Sequence, residues 1–103
     1  MPTQDYKIDL LQRLSNSQYA ATYLKAAWEE TLTDGNTKAF LLALKNVVAA
    51  QGSIPEVASE SEISRQHLDQ ILSDEDNPTL ETLTSVLQAV GLTIDFKPVP
   101  LKQ

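Results

Sequence analysis

The sequence predicts an all-α domain organised around a helix-turn-helix, and three observations lead to this fold class. Apolar residues recur at the 3.6-residue spacing of buried helix faces along most of the chain. Ser, Thr and Asn residues that can cap helices precede these stretches, and glycines follow several of them. Residues 53–72 contain two short helical stretches separated by a tight turn. One further stretch, Leu92–Lys97, alternates apolar and polar residues as a strand does.

The first two helices are predicted to form an N-terminal helical extension, residues 1–36. Residues 5–14, D-Y-K-I-D-L-L-Q-R-L, give the first helix, because its tyrosine and leucines fall on one face. The second helix is capped by Ser15 or Asn16 and runs to about Leu32.

The second helix carries an aromatic-rich apolar stripe, and Gly35 in T-D-G-N suits a left-handed C-cap after it. Such a stripe is more often core than interface. Its aromatics, Tyr23 and Trp28, are nevertheless candidates for a partner interface. The stripe comprises Tyr19, Ala20, Tyr23, Leu24, Ala27, Trp28 and Leu32.

The third predicted helix, Thr37–Gln51, is the most apolar, and we expect it to be the central one. Its position directly before the helix-turn-helix also favours this role. It opens a helix-turn-helix domain, residues 37–103, that is expected to form one compact unit with the extension. The predicted buried stripe is Phe40, Leu41, Leu44, Val47 and Val48.

The helix-turn-helix begins with a capping box, in which Ser53 is the N-cap and Glu56 lies three residues on. Its first helix is predicted over 54–60. Tight turns of this kind usually hold a glycine, since the chain there needs a positive φ. The matching position here is Glu62, so either the turn differs or a non-glycine residue carries strain.

The second helix of the motif is predicted to begin after the N-cap Ser64 and to bury Leu68, Ile71 and Leu72. In a helix-turn-helix this helix enters the DNA major groove, where Arg pairs with guanine and Gln with adenine. An ordinary helical corner without DNA contacts remains an equal alternative at this point. The candidate DNA-binding residues are Ser53, Ser64, Arg65, Gln66, Asp69, Gln70 and Ser73.

The last helix is predicted over Leu80–Val90, capped by Thr79, after an acidic loop that lacks the spacing of a calcium-binding loop. The strand Leu92–Lys97 follows and has no partner strand in the chain, so its partner is expected to be another chain. A homodimer is therefore predicted. Its candidate interface residues are Leu92, Ile94 and Phe96, together with Tyr23 and Trp28.

Composition narrows the function. The 103 residues carry a net charge of −6, which argues against a general nucleic-acid binder and favours a protein partner. No apolar run is long enough to span a bilayer, and the N-terminus lacks a signal peptide's apolar core, so a cytoplasmic protein is expected.

An enzyme is not expected. Ser64, His67 and Asp69 share one short helix and cannot adopt the geometry of a catalytic triad. No metal and no cofactor are predicted.

The chain resembles the addiction-module antidote proteins, the helix-turn-helix antitoxins of bacterial type II toxin–antitoxin operons. The resemblance lies in the order and spacing of several segments, which are D-Y-K-I-D-L-L-Q-R-L, Y-A-A-T-Y-L-K-A-A, A-F-L-L-A-L-K-N-V-V-A-A-Q-G, I-S-R-Q-H-L-D-Q-I-L-S and N-P-T-L-E-T-L-T-S-V-L-Q-A-V-G-L.

The resemblance implies a lambda-repressor-like five-helix domain, a small toxin bound directly, and repression of the protein's own operon by binding operator DNA. The acidic charge of the chain favours a basic toxin by charge complementarity. Ser64 and Arg65 match the start of the family's recognition helix, whereas Glu62 replaces a glycine and Asp69 an aromatic residue. Both departures add negative charge beside the expected DNA face. The alternative is an acidic protein-interaction module that has the same fold and binds little DNA.

Overall fold

The computed structural model describes residues 2–52, 54–73, 75 and 77–100, and side chains from Tyr6 onward. In these residues the fold is all-helical, as predicted. It has six helices, one for each segment that the sequence predicts as helical, so the five-helix count expected for a lambda-repressor-like domain is not supported. The helices are α1 (Pro2–Leu14), α2 (Ser17–Asp34), α3 (Lys38–Gln51), α4 (Ile54–Ser61), α5 (Arg65–Leu72) and α6 (Leu80–Ala89).

The ends of α2 follow from the residues that flank it. The Asn16 side chain accepts a hydrogen bond of 3.0 Å from the Tyr19 N–H, which satisfies a donor that the helix itself leaves unpaired. At the other end Gly35 adopts a φ of 73°, and its N–H donates to the Thr31 carbonyl at 2.7 Å. A left-handed residue ends a helix at least cost when it is glycine. Both predicted signals are therefore confirmed.

The centre of the fold is α3, which packs against α1, α2, α4 and α5. Leu44, Val47 and Val48 are fully buried in it. The prediction of a central helix before the helix-turn-helix is confirmed. Around this helix, α6 packs against α4 and completes the core with Val86, Leu87 and Val90.

The buried face of α2 is narrower than its apolar stripe predicted. Ala20 and Leu24 are buried, but Trp28 is 46% and Leu32 66% exposed. The neighbouring helices α1 and α3 cover only one side of α2, so residues at the margins of a wide stripe stay in solvent. Thr31 is buried in their place, and its hydroxyl donates to the Asn36 carbonyl at 3.1 Å, which lowers the cost of burying it.

The predicted strand Leu92–Lys97 is not formed in the single chain, where residues 92–100 are irregular. The helix α6 ends in a Schellman motif, in which the Gly91 N–H donates to the Gln88 carbonyl at 3.0 Å and the Leu92 N–H to the Leu87 carbonyl at 2.8 Å. After Leu92 the backbone runs along the surface without an adjacent strand. A period-two pattern identifies two faces, but a strand also needs a second backbone beside it.

Candidate nucleic-acid interface

The helices α4 and α5 pack against each other and against α3, as the two helices of a helix-turn-helix do. Val57 and Ala58 are the buried side of α4. Leu68, Ile71 and Leu72 are the buried side of α5, as the i, i+3, i+4 spacing predicted. These contacts fix which face of α5 is turned to solvent.

The turn between α4 and α5 is a Schellman motif with Glu62 in the left-handed position, at a φ of 61°. The Glu62 N–H donates to the Ser59 carbonyl at 3.2 Å, and the Ile63 N–H donates to the Ala58 carbonyl at 3.1 Å. Ile63 is half-buried against the core. Of the two possibilities that the sequence left open, the structure has the one in which the turn is retained and a non-glycine residue occupies it.

The start of α5 is fixed by Ser64, whose Oγ accepts a hydrogen bond of 2.9 Å from the His67 N–H. Ser64 has the extended conformation of an N-cap, with φ −72° and ψ 151°. This confirms the predicted cap. It makes Arg65 and Gln66 the first two residues of the helix, where side chains of a recognition helix meet base edges.

Most of the predicted DNA-binding side chains share the exposed face of α5. Arg65, Gln66, Asp69 and Ser73 are exposed, and Gln70 is half-buried. Ser64 is exposed at the cap. Ser53 lies outside the described residues. The structure thus brings together six of the seven predicted side chains around one helix, and contact with DNA stays a prediction.

The electrostatics of this face are acidic. Residues 53–73 contain one arginine against four carboxylates. Residues 1–52 hold as many cations as carboxylates, so the net charge of −6 arises in the second half of the chain. Within the part of the chain that the structure describes, no carboxylate lies within ion-pair distance of Arg65. Its guanidinium is therefore not engaged by those residues.

The candidate interface residues fall in two separate places. On α2 the Tyr23 hydroxyl accepts a hydrogen bond of 3.0 Å from Asn46 Nδ2, which ties it to α3. The Trp28 ring lies edge-on to the Phe40 ring, with centroids 5.6 Å apart. At the C-terminal end, Leu92 packs on the core, whereas Phe96 is 88% exposed.

An open groove that the sequence did not indicate runs between the α4–α5 turn and α6. Its walls are polar, and no spacing in the sequence relates the residues on its two sides. The groove is lined by Glu60, Ser61, Glu62, Ser85, Gln88 and Ala89.

In the described ranges, no group of three His, Cys, Asp or Glu side chains could hold a metal ion, and no helix is long and apolar enough to cross a membrane.

Comparison with known families supports the resemblance noted in the sequence. The family model described as probable addiction module antidote protein matches residues 4–98. Comparisons with curated proteins and with solved structures gave no significant match. The matched range covers all six helices from near the start of α1 to beyond α6. The chain therefore belongs to the family of probable addiction module antidote proteins.

Proposed function

We propose that this protein is a DNA-binding antitoxin that neutralises a small basic toxin by direct binding and represses its own operon. Family membership supports the antitoxin role and a toxin partner, because an antidote family is a regulatory or binding kind of protein. The proposal that the protein binds DNA depends on one observation, the exposure of the Arg65 side chain in the first turn of α5.

In this proposal the N-terminal half of α5 enters the major groove. Arg65 makes a bidentate contact with guanine, and Gln66 or Gln70 reads adenine. The exposed N-terminus of α5 faces the phosphates, where its dipole and the hydroxyl of Ser64 favour the negative charge.

The acidic surroundings oppose this binding, because phosphate attraction supplies much of the affinity of DNA-binding proteins. Asp69 lies one helical turn from Arg65, and Glu62 lies in the preceding turn. We expect the free protein to bind its operator weakly and to dissociate from it as the salt concentration is raised. A basic toxin bound to the antitoxin would neutralise part of the charge and tighten the complex.

We also propose that the protein acts as a homodimer. Helix-turn-helix proteins commonly bind two half-sites with two symmetry-related copies, each presenting one recognition helix. Two copies of the motif would double the number of Arg65 contacts, which is important for a surface with so few cations.

A second candidate function is an acidic protein-interaction module that has the same helices and binds little DNA. The excess of carboxylates in the second half of the chain favours it. It shares the toxin partner with the first proposal and differs from it only in the role of the outward face of α5.

A mobility-shift titration on the DNA upstream of the operon, with and without the product of the neighbouring gene, separates the two functions. Arg65→Ala should cost about 1–3 kcal/mol of specific affinity and leave toxin binding unchanged. Asp69→Asn should tighten DNA binding modestly by removing a repulsion. Arg13→Ala is the matched control, since this arginine pairs with Asp9 at 3.0 Å on α1, outside the helix-turn-helix. If neither change on α5 alters operator affinity, the protein-interaction module becomes the better account.

A further inference from the structure

The C-terminal segment that follows Leu92, residues 93–100, presents apolar side chains to solvent. Ile94 is 36%, Phe96 88% and Val99 66% exposed. Within the described residues, no backbone hydrogen bond joins this segment to another part of the chain. A nearly fully exposed phenylalanine beside an unpaired backbone is the pattern of an edge that another chain can complete.

Two prolines restrict how this segment can pair. In an antiparallel pair, alternate residues point both N–H and C=O at the partner, and the residues between them point these groups away. Pro98 and Pro100 have no N–H, so they must occupy the outward-pointing positions. Residues 93, 95, 97 and 99 are then the ones that bond across. The Phe96 N–H belongs to the outward set, and the Asp95 side chain already accepts its hydrogen bond at 2.9 Å.

Among two-fold axes at the three central residues of the segment, the charges favour one register for two identical strands. A two-fold axis at Asp95 would oppose two aspartates, and an axis at Lys97 would oppose two lysines. An axis at Phe96 instead sets Asp95 opposite the lysine of the second copy, and does so twice. Opposite charges directly across a pair stabilise it, whereas like charges destabilise it.

We propose that two copies of this chain pair through residues 93–99 as an antiparallel ribbon centred on Phe96. In this register Phe96 opposes its counterpart in a non-hydrogen-bonded pair, where side chains approach closely. The ribbon forms only between chains, which is consistent with the irregular segment of the single chain. The inference rests on the homodimer of the proposed function and gives it an interface.

A cysteine scan tests the register in the full-length protein, because the chain contains no cysteine. At a non-hydrogen-bonded pair the Cα atoms lie about 4.5 Å apart, within the range that a disulfide spans. Under mild oxidation Phe96→Cys should cross-link to itself in high yield. Asp95→Cys and Lys97→Cys should each cross-link poorly alone but well when the two variants are mixed. Equal yields at all three positions would overturn the register.

Charge reversal provides an independent readout by sedimentation velocity at low salt. Asp95→Lys or Lys97→Asp alone should raise the dimer dissociation constant roughly three- to tenfold, since each creates two like-charge pairs. A mixture of the two variants should restore dimerisation as a mixed dimer, visible by native mass spectrometry. Glu29→Lys, an exposed reversal on α2, is the control and should change nothing.

A protein that stays monomeric at every concentration, or a dimer that neither reversal weakens, would overturn the proposal. These experiments contain no DNA and no toxin. If they fail, the proposed ribbon is wrong. The proposed contact of Arg65 with DNA is tested separately by the mobility-shift titration.

Discussion

Glu62 and Gly91 occupy the same position in two copies of the same helix-ending motif. Their φ angles are 61° and 83°, and in each case the following residue donates its N–H to a carbonyl five residues earlier. Glycine adopts this conformation freely, whereas a side chain there costs roughly 1–2 kcal/mol. The turn before α5 is therefore strained at a single residue, and the end of α6 is not.

At the residue scale we predict that Glu62→Gly raises the free energy of unfolding by about 1 kcal/mol, because it relieves this strain. Urea denaturation at neutral pH measures the change. Glu62→Gln removes the charge and keeps the strain, so it should have little effect. Glu60→Gly lies within α4 and should instead lower stability by about 0.5–1 kcal/mol. A destabilised Glu62→Gly variant would mean that the positive φ is not a source of strain.

At the scale of elements, α3 gathers the core, and two of its leucines report its two faces. Leu44 is fully buried, whereas Leu42 is 59% exposed. We predict that Leu44→Ala lowers the free energy of unfolding by about 2–5 kcal/mol through lost burial and the cavity left behind. Leu42→Ala is the same chemical change on the solvent side and should cost under about 0.5 kcal/mol. Urea melts in which the two variants behave alike would contradict the assignment of faces.

At the scale of the whole molecule, the question is whether residues 1–36 are an appendage or part of one folding unit. Leu14, Ala20 and Leu24 are buried in the same cluster as Leu44 and Val47 of α3. We propose that the extension and residues 37–103 fold together, because removing α1 and α2 would expose this side of α3 to water.

We therefore predict that a fragment of residues 37–103 unfolds without cooperativity and binds a hydrophobic dye. The full chain should unfold cooperatively and should not bind the dye. Circular dichroism during a urea titration is the measurement. Adding residues 1–36 as a separate peptide should restore cooperativity. A fragment that unfolds as sharply as the full chain would make the extension an independent attachment.

Local signals in the sequence were sufficient to predict most of the helices. Asn16, Ser64 and Thr79 cap helices as expected, since a cap depends on residues within one turn. The prediction of a strand at Leu92–Lys97 was wrong for the single chain. A strand needs a second backbone to pair with, and an alternating sequence pattern does not supply one. The buried face predicted for α2 was too wide. The neighbouring helices determine how much of the apolar stripe is buried, and the sequence of α2 alone does not specify where they pack.

The candidate site was predictable to a similar depth. The buried set on α5 determines its exposed face, so the positions of Arg65, Gln66 and Asp69 followed from the spacing alone. The strained φ of Glu62 was one of two possibilities that the sequence left open. The groove beside α6 was not predictable, because its residues meet only through the packing of α4 on α6.

The contact between Trp28 and Phe40 has an optical consequence. Trp28 is the only tryptophan in the chain, and its ring lies 5.6 Å from that of Phe40, at an angle of 74°. Its fluorescence therefore reports the separation of α2 from α3, while circular dichroism reports all helices at once. If residues 1–36 detach first, the emission changes before the helical signal falls. If the molecule unfolds as one body, the two curves coincide at every urea concentration.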